Sequence, residues 1–303
     1  MMLFAVSGFA SDIVLGKNNE ITWGGESGNR IASFGGITAT GGTMVTNDGY
    51  IYHSFLSGTN NFVVLVSSQL CEVLFFGGAG GAGGGGAPGG GSGAGGLIYT
   101  NIYLSGTNIA IVGSGRGAGT NGIASTFAGL TAWGGGRGAS YRPFAAAGPG
   151  GSGGGGAGWS AGYNTFNGAA GTNGQGFAGG NGRGTNNTPY EAGGGGGAAS
   201  VGSNGVAGSY KSGDGGIGKE YAQFAIVGGS PAGWFCGGGG GAGTDQGAVA
   251  GAGGKGGGGN GAPPGTSNAG ANGVENTGGG AGGAHCGGGS FGGGGAIFIR
   301  YPL

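Results

Sequence analysis

The sequence predicts an all-β protein in which a small β-sheet or β-sandwich domain carries a bundle of polyglycine II helices, with essentially no α-helix. Glycine accounts for 98 of the 303 residues, and glycine runs alternate with short loops from 77 to 295. Apolar segments of strand length flank this body at 43–76 and 296–301. No segment has the 3.6-residue apolar period of an amphipathic helix.

Glycine-rich chains have few ordered options. Collagen needs glycine at every third position, and that step holds at Gly251, Gly254 and Gly257 but fails at Asn260. A flexible linker is the alternative that the composition leaves open. The polyproline II conformation has three residues per turn and no internal hydrogen bonds, so its amides must bond to neighbouring segments. Glycine allows that approach because it has no Cβ.

Strand signals appear at both ends of the chain. Asn47-Asp48-Gly49 predicts a hairpin turn, and 57–61 reads as a second turn. The runs 62–66 and 72–76 are apolar throughout, as in strands covered on both faces. Strands are expected at 13–15, 21–23, 43–46, 50–55, 62–66, 72–76, 97–104, 109–112 and 296–301. The last of these needs a sheet partner, and 72–76 or 62–66 is the natural one.

These signals divide the chain into three parts. Residues 1–36 form an N-terminal attachment arm, whose apolar segment 1–10 is a docking segment or the remnant of a signal peptide. Residues 37–112 form the β domain, which 296–303 closes and which contains a glycine excursion at 77–96. Residues 113–295 form the polyglycine II domain.

Composition excludes several classes of function. Only 7% of residues are charged and the formal net charge is zero, so no basic footprint for nucleic acid exists. No apolar stretch reaches the ~18 residues of a membrane-spanning helix, so membrane insertion is not expected. The cysteines Cys71, Cys236 and Cys286 are odd in number and lack zinc-ligand spacing. We expect buried thiols, no metal and no cofactor.

Three motifs that suggest chemistry have simpler explanations. Residues 109–118 match a strand followed by GxGxxA, but the dinucleotide fingerprint also needs a helix next, and glycine continues instead. Arginines flanked by glycine at 116, 137 and 183 are better explained as long side chains covering glycine surface. His53 lies in a predicted strand, and adjacent His285 and Cys286 point apart in extended chain. We therefore expect no enzyme activity.

Aromatic residues concentrate in the loops 139–147, 159–167, 185–192 and 209–235. Straight glycine runs place successive turns at opposite ends of a bundle, so these loops should cluster at one or both ends. Aromatic rings and arginine are the usual anchors of binding sites. The alternative is that the rings only seal the bundle. The candidate binding residues are Tyr141, Arg142, Trp159, Tyr163 and Tyr190.

Five segments resemble the glycine-rich domain proteins of tailed bacteriophages, which are common in phages of marine bacteria and cyanobacteria. They are GYIYHSF at 49–55, CEVLFFGGAGGAGG at 71–84, GGLIY at 95–99, IAIVG at 109–113 and GGGAIFIRYP at 293–302. The resemblance covers about 40–303. In composition and layout the chain is also similar to the tip adhesins of T-even-like phages, in which loops between polyglycine II helices meet the host receptor.

The resemblance implies a non-enzymatic virion structural protein, a tail-fibre, tip or head-fibre adhesin that contacts the host surface. Its expected partners are other virion proteins, bound through residues 1–36, and a host receptor or glycan, within an oligomeric assembly. A purely structural filament or capsid-decoration subunit is the first alternative. An ice-binding protein ranks below it, because glycine-rich antifreeze proteins have regular Gly-x-x repeats that this chain lacks.

Overall fold

The computed structural model describes residues 38–141, 144–159, 167–183, 190–206, 210–244, 247–264, 269–285 and 288–303, and the backbone of 13–15 and 21–23. Strands make up 28% of the chain and helix 2%. Within these ranges the helical part is one 3-10 segment, Ala222–Val227. The prediction of an all-β protein with essentially no α-helix is confirmed.

The strands are, in chain order, β1 (Ile13–Leu15), β2 (Ile21–Trp23), β3 (Ala39–Thr40), β4 (Thr43–Asn47), β5 (Tyr50–Phe55), β6 (Gly58–Val64), β7 (Gln69–Phe76), β8 (Leu97–Leu104), β9 (Thr107–Val112), β10 (Ser125–Phe127), β11 (Leu130–Ala132), β12 (Lys219–Glu220), β13 (Trp234–Phe235) and β14 (Ala296–Pro302). β1 pairs with β2, and β12 pairs with β13. The turn between β4 and β5 has positive φ at Asp48 and Gly49, as a tight hairpin requires.

The central sheet has the strand order β4-β5-β14-β7-β8. The closing strand β14 lies in its middle, where Ile297 is opposite Phe55 on one side and Phe75 on the other. The expected pairing of 296–301 with 72–76 is confirmed. β4 and β5, near the start of the described domain, therefore share one antiparallel sheet with β14 at its end.

The outer sheet has the order β11-β10-β9-β6-β3 and packs on one face of the central sheet. Their shared core includes Phe62 and Phe127 from the outer sheet and Phe75 and Ile299 from the central sheet. Burying such side chains stabilises the fold by about 1.5–3 kcal/mol each.

Two sequence-based expectations for this region are wrong. Residues 58–61 continue β6 and pair with 109–112, so the predicted turn at 57–61 is largely strand. The run 62–66 is covered on one face only, and Leu65 is 60% exposed. β10 and β11, which lie within the segment 113–295, belong to the outer sheet; the division of the chain into domains stays a prediction.

The other face of the central sheet is covered by residues 219–235. Phe224 and Phe235 are wholly buried against Phe298, with ring centroids 6.4 and 5.7 Å away. This segment supplies the apolar area that glycine cannot, and so it joins the central sheet to the bundle.

The bundle has the three-residue hydrogen-bond period of polyglycine II, which segment 77–83 illustrates. Amides three residues apart donate to the same neighbouring segment, and carbonyls three residues apart accept from the same segment. The amides of Gly78 and Gly81 donate to the carbonyls of Ile123 and Thr120, those of Ala79 and Ala82 donate to Gly293 and Ser290, and those of Gly80 and Gly83 donate to Gly93 and Gly90. The carbonyls of Gly78 and Gly81 accept from the amides of Gly135 and Gly138, and those of Ala79 and Ala82 accept from Arg116 and Gly119. The Gly83 carbonyl accepts from the amide of Ala284. Neighbours on all sides give this segment the hexagonal environment expected of packed polyglycine II helices.

The central segments of the bundle are completely buried. They are 77–83, 87–96, 151–158, 191–197, 236–244 and 277–284. A Cβ on Gly81 would overlap the carbonyl oxygen of Gly117, and one on Gly90 would overlap that of Gly155. Glycine is therefore required in these segments because neighbouring backbones touch.

The aromatic end of the bundle as a candidate binding site

The glycine segments run alternately away from the sheets and back, so their turns fall at two ends. Segment 77–83 leaves β7, turns at 84–88 and returns to β8 in antiparallel contact with itself. We call the end that holds this turn the far end. At ~3.1 Å per residue, seven residues place it ~22 Å from the edge of the central sheet.

Three of the predicted site residues lie together at the far end. The Tyr141 amide donates to the Gly84 carbonyl at 3.2 Å, and the Gly158 amide donates to the Pro88 carbonyl at 2.9 Å, which places Trp159 beside the same turn. Tyr190 packs against Gly158. Each of these aromatic residues follows or precedes a glycine segment at its turn, which explains why residues distant in sequence meet.

The three rings form a continuous cluster. The Tyr141 and Trp159 centroids are 4.3 Å apart with ring planes at 44°, and the Trp159 and Tyr190 centroids are 5.7 Å apart at 35°. All three residues are half-buried. Tilted rings at these separations attract each other beyond simple area burial. Arg142 and Tyr163, the other two predicted site residues, lie outside the described residues.

The aromatic cluster adjoins a backbone pairing of two charged residues, Glu191 and Arg183. Glu191, which follows Tyr190, is wholly buried, and its backbone bonds to that of the exposed Arg183 in both directions.

Tyr210 is 50% exposed, and its carbonyl accepts a hydrogen bond from the amide of Val249 at the far end. Tyr210 belongs to the predicted aromatic loop 209–235, whereas sequence reasoning missed Val249 as far-end surface, although the alternation of turns could have indicated it.

The other aromatic residues of the fourth predicted loop, 209–235, lie away from the far end. Tyr221, Phe224 and Phe235 are buried against the central sheet, at the opposite end from the cluster. The Lys255 ammonium lies 3.6 Å from the Trp234 ring centroid, a cation–π contact. For this loop the sealing explanation describes Tyr221, Phe224 and Phe235 correctly.

The histidines and cysteines of the described part of the chain are buried. His53 is fully buried in the sandwich core, with Nδ1 2.7 Å from the Gly41 carbonyl oxygen, and desolvation lowers its pKa. Burial raises the pKa of the Cys71 thiol to about 12, and burial also raises that of Cys236. Among the residues that the structure describes, no group of three metal-ligating side chains occurs.

The dinucleotide-like motif lacks the helix that it would need. Residues 113–118 form a glycine segment on the bundle surface and lead through a turn into another extended segment. The Arg137 side chain donates from Nε to the Ala146 carbonyl at 3.1 Å, so it covers neighbouring backbone as expected from the sequence.

Comparison with known proteins found no family and no relative for this chain. No protein-family model matches the chain, and no curated protein is significantly similar to it. Within the described ranges, no helix is both long and apolar enough to cross a membrane.

Proposed function

We propose that the protein is a non-enzymatic virion structural protein of a tailed bacteriophage, and that its far end contacts the host surface as a tail-fibre, tip or head-fibre adhesin. The observation that carries the proposal is the cluster of Tyr141, Trp159 and Tyr190 at the end opposite the sheets. Backbone hydrogen bonds of the glycine lattice anchor the chain at Tyr141 and beside Trp159, and such preorganisation lowers the entropy lost on binding.

The chemistry of the cluster suits a host receptor or surface glycan. Aromatic rings offer flat apolar faces beside polar hydroxyl and indole N–H groups, and such residues dominate binding energy at interfaces. In this proposal residues 1–36 attach the protein to other virion proteins, and the assembled particle contains several copies.

A purely structural subunit is the second candidate, since the rings stack on each other and cover the turn at 84–88. The two roles separate in a double variant, Trp159→Ser with Tyr190→Ser. Tyr103→Ser is the matched control, because Tyr103 is 71% exposed on β8 of the central sheet.

Binding of the purified, fluorescently labelled protein to a panel of cyanobacterial and marine bacterial cells is measured together with its melting temperature. Adhesion through the far end predicts that the double variant loses about tenfold or more in cell binding, while Tyr103→Ser binds normally. Unchanged cell binding with a strongly lowered melting temperature would leave the rings only a sealing role.

A further inference from the structure

Side-chain oxygens cap the outermost amides of the glycine lattice. On surface segments, Asn and Asp side chains accept backbone N–H groups from an adjacent segment. The Oδ1 acceptors and their donors are Asn121 from Arg137 (2.9 Å), Asn181 from Gly168 (2.9 Å), Asn204 from Asn181 (2.7 Å), Asp214 from Ala252 (2.8 Å), Asn260 from Gly253 (2.8 Å) and Asn272 from Phe291 (2.9 Å). The same contact therefore recurs around the bundle, and we call these six side chains the lateral caps.

Segment 247–255 shows how the lateral caps complete the lattice. The amides of Gly251 and Gly254 donate inward, to carbonyls of the buried segment 236–244. Between them, the Ala252 amide donates to Asp214 and the Gly253 amide donates to Asn260. The three-residue period thus directs some amides into the bundle and leaves the others for side chains.

Buried segments have no such caps. The completely buried central segments contain no Asn or Asp, and their amides bond mainly to neighbouring backbone. Among the residues that the structure describes, the lateral caps therefore lie on surface segments and not in the completely buried ones. Asp214 and the capping asparagines lie at least partly exposed.

A local sequence pattern accompanies the caps. Each capping asparagine is followed directly by glycine, at positions 122, 182, 205, 261 and 273. A Cβ at these glycines would overlap a neighbouring backbone carbonyl oxygen, for example that of Gly241 at position 261. In each Asn-Gly dipeptide, the asparagine side chain accepts a surface amide and the glycine allows close contact with a neighbouring backbone.

We propose that the lateral caps terminate the polyglycine lattice and prevent a second copy of this chain from adding its own glycine segments to the bundle. A surface row of unbonded amides is a template for further chain addition, as at the edge of a β-sheet. Water could solvate these amides but would not block an incoming backbone. A covering side-chain oxygen satisfies the amide and occupies the approach.

The test removes both caps of one segment, in the double variant Asp214→Ala with Asn260→Ala. The conservative pair Asp214→Asn with Asn260→Asp keeps an acceptor oxygen at each position. Asn108→Ala is the control outside the bundle, because its side-chain amide bonds carbonyls of its own turn beside β9. Amide hydrogen exchange and sedimentation over a concentration series are measured for each protein.

The proposal predicts that exchange at the Ala252 and Gly253 amides speeds up by about tenfold in the alanine pair, the effect of losing one hydrogen bond. It also predicts concentration-dependent association beyond the wild-type mass, which the conservative pair and Asn108→Ala do not show. Wild-type mass at every concentration, or unchanged exchange at both amides, would overturn it. If the alanine pair fails to fold, Asn272→Ala and exchange at Phe291 provide the same comparison.

Discussion

Arg300 in the closing strand donates from Nη2 to Glu72 at 2.7 Å, across 228 residues of sequence. Its Nη1 donates to the Tyr52 hydroxyl at 3.2 Å, and its guanidinium lies 4.2 Å from the Tyr50 ring centroid. One side chain of β14 thus contacts residues of both neighbouring strands, β5 and β7. The whole glycine body is therefore an excursion between two strands of one sheet.

The closing strand should be essential to the β domain. Ile297 is wholly buried between the two sheets, so Ile297→Ala should lower the free energy of unfolding by about 2–5 kcal/mol. Leu303→Ala, at a position 53% exposed, is the control and should change it little. Urea denaturation measures both, and equal stability of the two variants would contradict a central position for β14.

The strands that could be predicted are those whose own residues specify them. Segments 50–55, 97–104 and 296–301 are rich in β-branched, aromatic and other apolar residues, and the structure has strands at all three. By contrast, Ser125–Phe127 and Leu130–Ala132 are only three residues each. The first is a strand because β9 offers an edge beside it, and the second pairs with the first. Both pairings depend on the tertiary fold, so the local sequence does not indicate them.

Part of the candidate site was also accessible from the sequence. Tyr141, Trp159 and Tyr190 could be grouped because straight segments place alternate turns at the same end. The position of Phe224 could not be predicted, since nothing local shows that its loop folds back onto Phe298. The lateral caps have a signal, the repeated Asn-Gly dipeptide, but its meaning depends on the lattice around it.

Glycine should be indispensable inside the lattice and replaceable at its margin. Gly81→Ala places a Cβ on the carbonyl of Gly117, and we expect a loss of about 1–3 kcal/mol or more, as for overpacked cores. Gly288 has no atom within 4 Å of an added Cβ and no positive φ, so Gly288→Ala should be neutral or stabilising by about 0.4–1 kcal/mol. Thermal unfolding of both variants tests this, and a Gly81→Ala protein as stable as Gly288→Ala would exclude close packing.

A buried hydroxyl substitutes for a backbone group at Ser92. Its Oγ donates to the Gly80 carbonyl at 2.6 Å and accepts from the Ala281 amide at 2.7 Å. Ser92→Ala removes both bonds in a wholly buried segment, and each buried group left unbonded costs about 1–3 kcal/mol. Chemical denaturation should show this loss, whereas Ser114→Ala, at an exposed position, should be near neutral. A Ser92→Ala protein of wild-type stability would mean that the lattice closes over the gap.

Acid should destabilise the fold through His53. The ring is fully buried, Nε2 lies 3.2 Å from the Tyr301 hydroxyl, and desolvation lowers the pKa below the ordinary 6.5. The unfolded chain therefore binds the proton more readily than the folded one. The contribution of neutral His53 to stability is complete above about pH 6.5 and is lost as the pH falls towards the lower folded-state pKa.

The melting temperature measured from neutral to mildly acidic pH should fall in the wild type and in His285→Gln, which changes the other histidine. His53→Phe should start lower, because it loses the bond to Gly41, but should fall less steeply. If the His53→Phe curve keeps the full wild-type slope, His53 is not the group that titrates.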